Sequence, residues 1–107
     1  MKNIYCVCYN TLSVFKNKER AKKFFLTCYY SSEGAEKERY SNILIDLDFS
    51  DIATDKQGNL ITECVIFDEY NAPIKREKTE LINYKLLIDK IEKGAEENDN
   101  INKKTTN

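Results

Sequence analysis

The sequence predicts an α+β domain, a small antiparallel sheet of three to four strands covered by an αα-hairpin and a C-terminal helix. Three observations lead there. Ile4 to Tyr9 is apolar at every position, as a strand covered on both faces must be. Two neighbouring stretches between Lys18 and Leu47 carry apolar residues at i, i+3, i+4 and i+7, the spacing of one helical face. Cys64-Val65-Ile66-Phe67 is a dense apolar run behind the turn-forming stretch Thr54 to Asn59.

The elements follow in chain order. Ile4, Cys6 and Cys8 point to one side of the first strand, and Tyr5, Val7 and Tyr9 to the other. Leu12 to Phe15 continues it or pairs with it after the weak turn residues Asn10 and Thr11. Asn17 is placed to cap a helix over Lys18 to Tyr30, whose stripe is Ala21, Phe24, Phe25, Cys28 and Tyr29. Glu19 can reach Lys23 one turn on.

Ser31 and Ser32 end that helix and offer a cap to the next, where Glu33 and Glu36 suit the positive end of the dipole. Tyr40, Ile43, Leu44 and Leu47 give the second helix its face, and Gly34 relaxes the junction. Beyond the Gly58-Asn59 turn signal, Leu60 to Phe67 reads as a strand. Asn71-Ala72-Pro73 turns the chain into a partner strand over Ile74 to Lys78. A third helix is expected from Thr79 or Glu80, with Leu81, Tyr84, Leu87, Ile88 and Ile91 inward and a stop at Gly94. Residues 1–94 then form a single domain, and Ala95–Asn107, with almost nothing apolar to dock, a disordered tail.

Charge is divided along the chain. Up to residue 32, Lys2, Lys16, Lys18, Arg20, Lys22 and Lys23 oppose only Glu19, whereas residues 33–72 set ten carboxylates against Lys37, Arg39 and Lys56. The net charge of −1 over 107 residues argues against a general binder of nucleic acid or membrane surfaces. No apolar run approaches the ~20 residues of a membrane span, and the first residues lack a signal-peptide core, so a cytoplasmic location is expected.

The absence of histidine removes the commonest general base and the commonest metal ligand. Gly34, Gly58 and Gly94 are isolated, so no phosphate-binding loop is present. Cys6, Cys8, Cys28 and Cys64 lack the paired knuckle spacing of a zinc site and read as reduced core thiols. No catalytic residue, metal or cofactor is expected, and the chain reads as a non-enzyme.

The candidate site is a partner surface. Glu33, Glu36, Glu38, Asp46, Asp48 and Asp51 form an acidic array, and Arg39 beside Tyr40 is a combination enriched at interfaces. The alternative is nucleic-acid regulation by the basic helix at residues 16–23, with Tyr29 and Tyr30 free to stack on bases. Seven tyrosines and five phenylalanines exceed what a small core must hide, which points to an exposed aromatic patch and allows a homodimer.

From Phe15 to Asp55 the chain resembles small uncharacterised proteins of phages and conjugative elements of low-GC Gram-positive bacteria. The motif is Ser32-Glu33-Gly34-Ala35-Glu36 with Glu38-Arg39-Tyr40, Asn42-Ile43 and the later Ile52-Ala53-Thr54-Asp55. The resemblance implies an accessory protein of a mobile element, acting in a bacterial host cell as a stoichiometric, anti-CRISPR-like inhibitor. Its target would be a defence protein with a basic surface, since such nucleases hold nucleic acid through Lys and Arg side chains for which carboxylates compete.

Overall fold

The first strand, β1 (Ile4–Cys8), sits inside a five-stranded sheet and is buried on both faces, as its unbroken apolar sequence requires. The computed structural model describes residues 2–57 and 60–105, so the Gly58-Asn59 turn signal lies outside the described residues. A two-residue turn at Tyr9-Asn10, with Tyr9 at φ 55, joins β1 to the antiparallel β2 (Thr11–Phe15). Helices α1 (Lys18–Tyr30) and α2 (Gly34–Leu47) form the expected hairpin. The short β3 (Ile52–Thr54) then pairs parallel with β1, β4 (Leu60–Phe67) pairs parallel with β2, and β5 (Pro73–Asn83) pairs antiparallel with β4.

The sheet order is therefore β3-β1-β2-β4-β5, five strands and mixed, which corrects the expected antiparallel sheet of three to four strands within the same α+β class. The difference lies in Ile52-Ala53-Thr54, to which the sequence reading assigns no strand. Three residues are too few for a period-2 signal, yet Ala53 is fully buried between the layers. The hairpin returns the chain past β1, and β3 docks there in the same direction as β1.

Helices cover both faces of the sheet. Ala21 and Phe25 of α1 and Ile43 and Leu47 of α2 meet Ile4, Cys6, Phe15, Val65 and Phe67 on one side. On the other side, Leu87 and Ile88 of α3 (Tyr84–Thr105) meet Tyr5, Val7, Leu12, Val14 and Cys64. The first cluster is aromatic at its centre. Phe15 stacks on Phe67 with centroids 4.7 Å apart and has Phe24 and Phe25 at 5.4 and 5.8 Å.

Local chemistry explains most boundaries. Asn17 Oδ1 accepts from the Arg20 N–H at 2.9 Å and starts α1. Ser31 and Ser32 do not cap α2; their hydroxyls donate backward to the carbonyls of Thr27 and Cys28, and Glu33 occupies the N-cap without a side-chain bond. Gly34 is at φ 64, a conformation that its missing Cβ makes inexpensive. At the β4–β5 turn Asp68 Oδ1 accepts the N–H groups of Ala72 and Tyr70 at 2.9 and 2.8 Å, which holds its carboxyl below the usual carboxylate range.

The last third departs furthest from expectation. β5 continues beyond Lys78 to Asn83, because Ile82 and Asn83 pair with Ile61 and Leu60 past a bulge. Leu81 consequently lies on a strand at 65% exposure and not in a helical core. Helix α3 starts only at Tyr84, where Asn83 Oδ1 accepts the Lys85 N–H at 2.8 Å. It passes through Gly94 to Thr105, so the helix stop expected at Gly94 is not seen. An interior glycine costs a helix only about 1 kcal/mol, and Ala95, Glu96 and Glu97 are good helix formers.

The two sheet edges differ. The outward N–H groups of β3 are already used, Ile52 N donating to Ser50 Oγ at 3.0 Å and Thr54 N to Asp46 Oδ2 at 3.1 Å. Strand β5 forms the opposite edge, with Lys75, Arg76, Glu77 and Lys78 exposed along it.

Candidate partner-binding rim on α2

The chemistry of the molecule gathers where β1 and β3 end beneath α2. Asp55 follows β3, and its N–H donates to the Val7 carbonyl at 3.0 Å, which draws the side chain inward to complete burial. A carboxylate there must be satisfied on every side. Oδ2 accepts the Tyr9 N–H at 2.8 Å and Arg39 Nη1 at 3.1 Å, and Oδ1 accepts the Gln57 N–H at 3.1 Å. The guanidinium of Arg39 also lies over the Tyr9 ring, 4.4 Å from its centroid. Asn42 Nδ2 donates to the Asp55 carbonyl at 3.4 Å.

Arg39 is thus fixed from below and from the side. Only Nη1 of its guanidinium has a partner among the described residues, and the side chain is 24% exposed. The remaining donors are therefore within reach of another molecule. Next to Arg39 in the chain, Tyr40 donates its hydroxyl to Glu36 Oε1, one helical turn back, at 3.1 Å, while its ring packs against Phe25. Burial, and then the bond to Glu36, push the Tyr40 phenol far above its ordinary value.

Of the sequence-predicted site residues, Glu33, Glu36, Glu38, Arg39 and Tyr40 share the first turns of α2. The three aspartates are placed elsewhere and are engaged internally. Lys22 binds Asp48 at 2.6 Å, Lys18 and Lys2 lie 3.6 and 3.7 Å from Asp51, and Lys56 binds Asp46 at 2.7 Å. The charge division of the sequence is closed in part, where Lys18 and Lys22 of the basic helix meet Asp51 and Asp48 at the acidic end of the hairpin. Glu19 and Lys23 form no ion pair among the described residues.

Asp55, Tyr9 and Cys8 were not singled out as site residues by sequence. Asp55 closes the Ile52-Ala53-Thr54-Asp55 part of the motif, which was the available signal; nothing marks Tyr9 beyond its place at a turn. The thiols divide across the sheet, with Cys6, Cys8 and Cys28 on the hairpin face and Cys64 on the α3 face. A four-thiolate site is thereby ruled out by geometry, and no metal-holding group occurs among the described residues.

Burial first, and then the neighbouring Asp55 carboxylate, push the Cys8 thiol up to about 12; burial likewise raises Cys28. Its neutral form therefore contributes stability that is present below the ordinary thiol pKa and is lost as pH rises towards 12. At pH 8, iodoacetamide is expected to label Cys8 in the native protein at least ~100-fold more slowly than in the urea-unfolded chain. Mass spectrometry of the Cys8 peptide reads this directly, and labelling at the unfolded rate would mean that the thiol is open and ionised.

The chain matches no family model, no curated protein and no solved structure.

Proposed function

We propose that this protein is a non-enzymatic binding module that docks on another protein through the α2 rim of Glu33, Glu36, Glu38, Arg39 and Tyr40. The observation that carries the reading is the immobilised Arg39. A guanidinium held by a buried carboxylate and an aromatic ring has already lost its rotamer freedom, so a partner meets a preorganised fork. The acids around it select a basic surface, and Tyr40 supplies a rigid flank. The thiols and the phenol beside the rim are held neutral, which suits recognition better than nucleophilic or acid–base chemistry.

The resemblance to mobile-element proteins supports a finer reading, in which the partner is a basic host defence protein and docking blocks its nucleic-acid channel. Regulation of nucleic acid by the basic helix is less well supported, because Lys18 and Lys22 already bind Asp51 and Asp48.

Affinity capture from a bacterial host, followed by titration of the captured protein, tests the rim. Binding is expected to weaken with rising salt and to fall at least about tenfold in a Glu36→Lys, Glu38→Lys variant. Unchanged affinity in that variant would remove the rim from consideration. Retardation of DNA at low salt, lost on replacing Lys16 and Lys23, would favour the nucleic-acid reading instead.

A further inference from the structure

The outer ridge of α1 is self-complementary, and we propose that it forms an antiparallel, two-fold contact with α1 of a second copy of this chain. Lys22, Leu26 and Tyr30 follow one another at i, i+4 and i+8, so they stand in a single row along the helix. They line a shallow, largely apolar groove of about 650 Å³ on the side away from the core residues Ala21 and Phe25. Leu26 is 42% exposed and Tyr30 is 77% exposed.

The row has its apolar residue in the middle, a cation four positions before it and an aromatic ring four positions after it. When two such rows run antiparallel about Leu26, Leu26 meets its own copy on the axis. The Lys22 ammonium of each chain then faces the Tyr30 ring of the other. The same residues thus supply both halves of every contact, which a closed two-fold interface demands. A lysine over a tyrosine face is attractive, and this one occurs twice.

The parts are held ready for this arrangement. Tyr30 packs edge-on against Tyr29 at 5.3 Å, and the Lys37 ammonium lies over the Tyr29 ring, 4.6 Å from its centroid. Asp48 holds Lys22 in place with one ammonium donor, leaving others for a second contact. Pairing also displays two α2 rims on one particle, so a partner with repeated sites would be held by avidity.

Sedimentation equilibrium on the full chain from ~10 μM to ~1 mM tests the contact, in the range expected for a small interface. A concentration-dependent dimer is expected, with Tyr30→Ala weakening it about tenfold. Leu26→Glu and Leu26→Lys should each be monomeric, because each sets like charges together on the axis. Mixing those two variants should restore the dimer, as no defect in folding of either chain could do. A wild-type chain that stays monomeric throughout, or dimers that persist in both single variants, would overturn the proposal. So would two monomeric variants that fail to associate when mixed.

Discussion

Asp55→Ala is expected to destabilise the protein by about 3 kcal/mol, which lowers the urea midpoint by roughly 2 M for a domain of this size. The carboxylate is fully buried and has three donors, the N–H groups of Tyr9 and Gln57 and the guanidinium of Arg39. Removing it strands a positive charge and two backbone donors beneath α2, so the loss includes their desolvation as well as their bonds. Partial exposure of Arg39 allows water to recover part of this, which places the estimate at the low end for a broken buried pair. The double variant Asp55→Ala, Arg39→Met should regain some stability because no orphaned cation remains. A single variant as stable as wild type would show that the carboxylate carries no such weight.

Phe15→Ala should cost more, about 4 kcal/mol. Its ring lies at the centre of the hairpin-side core, stacked on Phe67 and edge-on to Phe25, and has no exposed surface. Strands β2 and β4 and helix α1 all close on it, so none can move in to fill the space without separating from another. Total stabilities of such domains are about 5–15 kcal/mol, hence the variant should be marginal at 37 °C. Thermal unfolding measured by circular dichroism reads the effect. Phe15→Leu, which keeps most of the volume, should cost about 1.5 kcal/mol, and equal losses in both would argue against a cavity as the cause.

Elements governed by local periodicity were legible from sequence. The α1 stripe, the α2 face and the two-sided burial of β1 all appear as expected, since each depends on spacing within one segment. What escaped depends on distant partners. β3 exists because β1 lies beside it, and the C-terminal half of β5 exists because Leu60 and Ile61 pair with it across a bulge. Thr79 to Asn83 has a pattern compatible with a helix, and the cross-strand partners decide otherwise.

The candidate site divides in the same way. The rim on α2 could be read off one helix, whereas the pairing of Asp48 and Asp51 with lysines of α1 depends on how the hairpin closes. Sequence therefore overstated the anionic exterior. It also missed Asp55, because a carboxylate in an acidic stretch has nothing in its neighbourhood to distinguish a buried hub from a solvated side chain.

Because Ser50 and Asp46 occupy the outward donors of β3, that flank offers an incoming chain no vacant N–H at Ile52 or Thr54 with which to begin a ladder. Among the described residues the open edge for strand addition is β5, where a row of lysine, arginine and glutamate raises the barrier to stacking. Ser50→Ala together with Asp46→Ala would free both donors and leave that flank open to an incoming strand. One carboxylate and one hydroxyl thus close one margin of the sheet.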